Sequence, residues 1–152
     1  VESSHIRELI RIGEETRLSP WSAQGYLDEL KNPAAIMLRL VDSENSIIGF
    51  VVGRLILGGV IETHLDAEIY NIAVTEQCQR QGYGQRLFDE FVLRCRENKV
   101  ASIWLEARES NQKAIKFYEK NGFEQVHTRP SFYSQPRENA IVMMLKLEPH
   151  SA

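Results

Sequence analysis

Apolar residues along this chain change period several times. Ile6, Leu9, Ile10 and Gly13 recur at helical spacing, which predicts a first helix over His5–Thr16 capped by Ser3 or Ser4. The stretch Leu18-Ser19-Pro20-Trp21-Ser22 breaks it, and Ser22 starts a second, short helix over Ala23–Lys31 that Asn32-Pro33 ends. Two β-rich runs follow, Ile36–Val41 and Ile47–Leu57, joined by a turn at Asp42–Ser46, so the pair reads as a hairpin. After a break at Gly58-Gly59 and a loop over Glu62–Asp66, Ala67–Val74 is a third strand with a continuous apolar end.

Gly82–Asn98 is helical, with Leu87, Phe91 and Arg94/Cys95 on one face. Ala101–Ala107 alternates: Ile103 and Leu105 point one way, Trp104 and Glu106 the other. Asn111–Asn121 is a helix closed by Gly122 as its left-handed C-terminal residue. Phe123–Thr128 and Ala140–Leu147 complete the sheet, with a polar, aromatic loop over Arg129–Asn139. Helices interspersed among these strands predict an α/β or α+β fold, a mixed sheet with helices on its faces, in a single domain over 1–152.

Composition narrows the function class. The 152 residues are 43% hydrophobic and 26% charged, ordinary for a globular protein. A net charge of -3 argues against a dedicated nucleic-acid binder. Ile47–Leu57 is the longest apolar run, and Gly49, Gly53 and Arg54 interrupt it well short of the roughly 18 residues of a membrane span. The N-terminal segment is polar and amphipathic, unlike a secretory signal. Cys78 and Cys95 lack zinc spacing and fit a reducing cytoplasm, and the four histidines are scattered, so no metal is expected.

The most informative segment runs from Val74 to Leu87. A strand passes through a short loop into a glycine-containing helix start, Gln79-Arg80-Gln81-Gly82-Tyr83-Gly84-Gln85. Unpaired N–H groups and the positive dipole end there favour a phosphate or pyrophosphate, and glycines let it approach the backbone. The Walker lysine is absent. The third glycine of a dinucleotide fingerprint is replaced by Leu87, and Trp104 stands where its acidic residue belongs. What survives is Gln-x-x-Gly-x-Gly. Taken alone, it is equally a flexible helix start with solvated arginines.

That hexapeptide resembles the acetyl-coenzyme A motif of the GNAT N-acetyltransferases. Five passages, in order, resemble the branch that acetylates the N-terminal alanine of a bacterial ribosomal protein: Pro20–Ser22, Tyr70–Val74, the loop itself, Trp104–Asn111 and Ala114–Phe123. The resemblance implies a mostly antiparallel twisted sheet with a central splayed strand pair, the first strand of the fold being short or missing before Ser3. It implies that Ile72, Ala73 and Val74 hold the pantetheine arm through their backbone, with the Val74 N–H polarising the thioester. It makes Gln79, Arg80, Gln81, Gly82, Tyr83, Gly84, Gln85 and Asn111 contacts of acetyl-coenzyme A. It makes Glu106 the general base, Tyr118 the general acid, and Trp21 and Tyr133 part of the acceptor site.

Each residue also has a plainer reading. Glu106 fits a solvated strand end, Tyr118 helix packing beside Phe117, and Asn111 a helix cap whose side chain would share a face with Tyr118. Ser131, Ser134 and Asn139 depart from the ribosomal branch, which leaves the acceptor open. A protein N-terminus, such as that of a ribosomal protein, stands beside a lysine side chain, a polyamine or another small amine, and beside a coenzyme A sensor without turnover. Glu62, Asp66, Glu68, Glu106 and Glu109 can form an acidic mouth for a cationic amine or simply a solvated face. A cytoplasmic monomer or weak dimer, with no nucleic acid or membrane as partner, is expected. The chain starts at Val1, so leading residues are expected to be missing.

Overall fold

The computed structural model describes residues 1–16, 21–58, 64–134 and 136–147. Pro20 and Glu62, singled out above, lie outside them. Among the described residues the order is α1 (Ile6–Glu15), α2 (Ala23–Leu30), β1 (Ala35–Val41), β2 (Ile47–Gly58), β3 (His64–Val74), α3 (Tyr83–Glu97), β4 (Val100–Arg108), α4 (Gln112–Lys120), β5 (Glu124–Tyr133) and β6 (Glu138–Lys146). The six strands form one sheet in the order β1-β2-β3-β4-β6-β5. The β1/β2, β4/β6 and β5/β6 pairs are antiparallel. The mixed sheet with helices is the predicted fold class. None of the described helices is long and apolar enough to cross a membrane.

The chain divides into two compact units. The first comprises Val1–Leu55 and Ile69–Asn98. Its core gathers Leu9 and Ile12 of α1, Tyr26 of α2, Phe50 and Val52 of β2 and Ala73 of β3. Burial of such side chains contributes about 1.5–3 kcal/mol each. Ile12 is fully buried and Ile10 only partly, so α1 turns a slightly different face inward than Ile6, Leu9, Ile10 and Gly13 would set. Ser3 and Ser4 do not cap α1. They lie in a 3₁₀ turn, Ser3–His5, in which the Glu2 N–H donates to His5 Nδ1 at 2.9 Å. Ser22 does cap α2, its hydroxyl accepting from the Gly25 N–H at 3.0 Å.

The hairpin turn is fixed by the Asp42 carboxylate, which accepts from the Glu44 and Ser46 N–H groups at 2.9 Å, while Asn45 takes φ 65°. Gly49 is demanded by packing: a Cβ there would stand 2.9 Å from the Ala73 carbonyl oxygen and 3.0 Å from Leu87 Cδ1. Its absence lets β2, β3 and α3 approach closely. Glu29, 3% exposed, is ion-paired with Arg54, whose guanidinium also lies 5.2 Å over the Tyr70 ring.

The second unit comprises Ile56–Glu68 and 99–152. Along β4, Val100, Ile103, Leu105 and Ala107 are buried, and Trp104 and Glu106 lie on the other face, as the alternation predicts. Asn111 caps α4 through its side chain, which accepts from the Ala114 N–H at 3.3 Å. Gly122 follows with φ 96°.

Two loops were assigned too long. His64–Asp66 belongs to β3, where Asp66 is buried, so the span Glu62–Asp66 is not all loop. Arg129–Tyr133 is the end of β5, and Glu138-Asn139 starts β6. β5 is exposed along nearly its whole length, so it shows no apolar alternation.

Candidate active site

In the first unit, β3 ends in Ile72, Ala73 and Val74, with Ala73 and Val74 buried and Ile72 half-buried. The Gln79 amide turns back and donates to the Val74 carbonyl at 2.9 Å, folding the loop onto the strand end. Arg80 then takes φ 64° and Gly82 φ 83°. Gly82 is the N-cap of α3 and offers no side-chain cap, so no capping side chain covers the positive end of the helix dipole. A Cβ at Gly84 would come no nearer than 4.0 Å to Val74 Cγ2, leaving its backbone open to approach. Uncapped amides behind an open glycine suit a pyrophosphate.

The other loop residues serve it locally. Gln81 Nε2 donates to the Gln77 carbonyl at 3.4 Å and Gln85 Nε2 to Asp89 Oδ1 at 2.8 Å. Arg80 is exposed and Tyr83 half-buried. Trp21 packs on the core, its ring 5.2 Å from Tyr26 and 5.7 Å from Tyr70, and stays partly accessible.

In the second unit, Glu106 projects from the polar face of β4. Arg129 Nη1 donates to Glu106 Oε1 at 2.6 Å, and the same guanidinium lies 4.2 Å over the Phe132 ring. Glu106 and Trp104 open onto a cavity of about 280 Å3 that also includes Asp66, Glu68 and Val142. Tyr118, 6% exposed, packs against Phe117 and Phe123 with ring centroids 5.4 Å away in each case. Burial, and secondarily the Tyr133 phenol, raise its pKa well above the usual tyrosine range. Its phenol therefore holds its proton at neutral pH.

Tyr133 is also raised, first by burial and next by the Glu106 carboxylate. It is thus within electrostatic reach of both Glu106 and Tyr118, and these three predicted residues are brought together. Asn111 is not: it is the exposed cap of α4, whereas Tyr118 faces inward, so the two do not share a face. The cap residue has φ -82° and ψ 66°, outside the helix, so a helical spacing count does not apply to it.

Sequence reasoning missed the frame around Tyr133. Arg108 lies 4.4 Å over its ring and donates to Glu138 Oε2 at 3.2 Å, to the Pro136 carbonyl at 3.2 Å and to the Ser134 carbonyl at 3.3 Å. Glu138 accepts from the Ser110 N–H, and Ser110 followed by Arg108 hold its carboxyl below the usual range. Asn139 Nδ2 donates to Glu109 Oε2 at 2.9 Å, and its Oδ1 accepts from the Ser131 N–H at 3.0 Å. Only the density of charged residues in 106–109 and 137–139 hinted at it. The hydrogen-bond partners of Arg108, and the Glu109–Asn139 pair, are 26 to 30 residues apart in sequence.

Residues 5–123 match the model of the Acetyltransferase (GNAT) family. The [ribosomal protein bS18]-alanine N-acetyltransferase of Haemophilus influenzae is 34% identical over 146 residues, covering 94% of this chain and 93% of that protein. The solved ribosomal-protein-S18-alanine N-acetyltransferase from Escherichia coli superposes with a TM-score of 0.83 at 26% identity, covering 100% of this chain and 95% of the other. Ard1 from Thermoplasma volcanium gives 0.85 at 28% identity, covering 97% and 95%. With the family model matched over most of its length and a relative 34% identical over nearly the whole of both chains, the chain belongs to the GNAT family and is an acetyl-coenzyme A-dependent N-acetyltransferase.

Proposed function

We propose that this enzyme acetylates the N-terminal α-amine of a protein that begins with alanine, as the ribosomal protein bS18 does for the relatives named after that reaction. The observation that carries the reading is Glu106, a carboxylate on a strand face, opening into a cavity of about 280 Å3. An α-amino group has an ordinary pKa of about 7.7–8.0, so a carboxylate in contact with it, directly or through water, needs to remove only a weakly held proton.

In this scheme the N–H groups at the start of α3, with Gln79, Arg80, Gln81, Gly82, Tyr83, Gly84 and Gln85, hold the pyrophosphate of the donor. The backbone of Ile72, Ala73 and Val74 holds its pantetheine arm, and Asn111 adds a contact. The Val74 N–H faces the thioester oxygen, a role worth about 3 kcal/mol in such reactions. Glu106 takes one proton from the ammonium, and the freed lone pair attacks the thioester carbonyl. The carbon–sulfur bond breaks, and Tyr118 gives its proton to the departing thiolate. The second amine proton is lost as the amide forms, so Tyr118 is re-protonated from solvent. Trp21 and Tyr133 line the acceptor's path.

The test is incubation with acetyl-coenzyme A and a peptide beginning with alanine. The expected result is release of free thiol together with a gain of one acetyl group on the α-nitrogen, located by tandem mass spectrometry. Turnover confined to lysine side chains, polyamines or other small amines would overturn the α-amine assignment. Binding of coenzyme A with no turnover on any amine would overturn the catalytic one.

A further inference from the structure

Arg129 and Phe132 stand three residues apart on β5, a spacing that puts side chains on opposite faces of a regular strand. Here they meet: the Arg129 guanidinium lies 4.2 Å over the Phe132 ring. The β5/β6 register shifts between Arg129 and Tyr133, and Ser131 takes φ 52°, an uncommon conformation for a serine. Pro130 has no N–H to give the ladder, and the Ser131 N–H donates to Asn139 Oδ1 at 3.0 Å. The bulge thus brings an aromatic ring under a guanidinium that a regular strand would send to the other face. Phe132 is 45% exposed, so burial does not account for an aromatic side chain there. Its ring instead gives the cation a bed.

The guanidinium so held reaches Glu106. In the sheet β6 lies between β5 and β4, two spacings of about 4.8 Å each. Ala140 of β6 pairs with both Arg129 and Arg108, so only a methyl group separates β5 from β4 in that row. The long Arg129 side chain spans the gap, and its Nη1 donates to Glu106 Oε1 at 2.6 Å, a charge-assisted hydrogen bond. We infer that Arg129, steadied by Phe132, is a positioning residue for the base: it occupies Oε1 and leaves Oε2 to the amine in the cavity that Glu106 lines. The inference rests on Glu106 acting as the base of the proposed reaction. In that step an N–H bond of the ammonium breaks, its electron pair stays on nitrogen, and the proton forms an O–H bond with Oε2. Arg129 touches neither the donor nor the amine. It fixes which oxygen faces the amine, and proton transfer depends steeply on such alignment.

Arg129→Met keeps much of the aliphatic stem and removes the donor. The side chain is 49% exposed, so the fold should tolerate the change. With acetyl-coenzyme A and an alanine-initiated peptide, kcat should fall about tenfold or more, and the KM for acetyl-coenzyme A should not move. Arg129→Lys, which keeps a donor of similar reach, should recover part of the loss. Phe132→Leu leaves the guanidinium without its bed and should give a smaller loss of kcat. In a Glu106→Gln background, adding Arg129→Met should change the residual turnover by less than about twofold, because no base is left to position. A folded Arg129→Met enzyme that turns over as fast as the wild type, or faster because the guanidinium only competed with the amine, would overturn the inference while leaving the proposed function intact. An equal loss in both backgrounds would overturn it as well, since that loss would not pass through Glu106. Full turnover in Glu106→Gln alone would overturn the base assignment on which it rests. Failure of the wild type to acetylate any α-amine would overturn the proposed function itself.

Discussion

At the scale of single residues, the site is a problem in where protons sit. Tyr118 keeps its proton because burial opposes the phenolate, so in the proposed scheme it gives that proton up only to a strong base beside it. Glu106 is held by Arg129 rather than left free in solvent, so its carboxylate has a fixed direction. Glu106→Gln keeps the acceptor for Arg129, and Tyr118→Phe keeps the ring packed between Phe117 and Phe123. Each should therefore lower kcat by about a hundredfold or more while the thermal midpoint changes little. Steady-state kinetics beside a melting curve separates the two effects, and unchanged turnover in both variants would remove the acid–base assignment. Glu106 was legible because strand alternation sets it opposite Ile103 and Leu105. Arg129 was not, because it lies 23 residues further along the chain and no periodicity links the two.

At the scale of elements, the chain is most legible where one face is buried and the other is not. The β1/β2 hairpin, α3 and β4 follow from alternation or helical spacing, and their bounds fall within a residue or two of expectation. β5 does not, since an edge strand with both faces exposed has no pattern to read. The Gln79–Gly84 loop is legible for another reason: its glycines answer to backbone shape. At Gly82 a Cβ would meet nothing within 4 Å, so the residue is fixed by its φ of 83° alone. At Gly49 the conformation is ordinary and the clash with the Ala73 carbonyl is decisive. Gly82→Ala should thus cost about 1 kcal/mol and raise the KM for acetyl-coenzyme A, because the strained turn relaxes and the first amides of α3 lose their aim. Gly49→Ala should cost about 1–3 kcal/mol by overpacking, with a smaller effect on that KM at temperatures where it stays folded. Urea unfolding and initial-rate kinetics on both variants check the contrast, and equal effects on the KM would refute the local role of Gly82.

At the scale of the whole molecule, each compact unit buries an acid whose proton is hard to remove. In the first, burial pushes the Cys95 thiol up from 9.0 to about 12. In the second, burial raises Tyr118 still further above its ordinary 10.0. For both groups the unfolded chain ionises first. Once the pH passes the unfolded value, the unfolded state binds fewer protons than the folded one, so stability falls as pH rises. The contribution of Cys95 is whole below about pH 9 and is lost as the pH climbs to about 12, and Tyr118 adds to the decline above pH 10. Urea midpoints should therefore drop steeply between pH 8.5 and 10.5, beyond any change seen between pH 7 and 8.5. Cys95→Ala should be less stable at neutral pH, because it opens a small cavity in a fully buried position, yet its midpoint should decline less over the alkaline range. Thiol labelling gives an independent reading. Cys78, partly accessible, should react with a thiol reagent at pH 8 in the native state, and Cys95 only on unfolding. A wild-type midpoint that is flat to pH 10.5, or a Cys95→Ala slope as steep as the wild type's, would show that neither buried acid governs the alkaline limit.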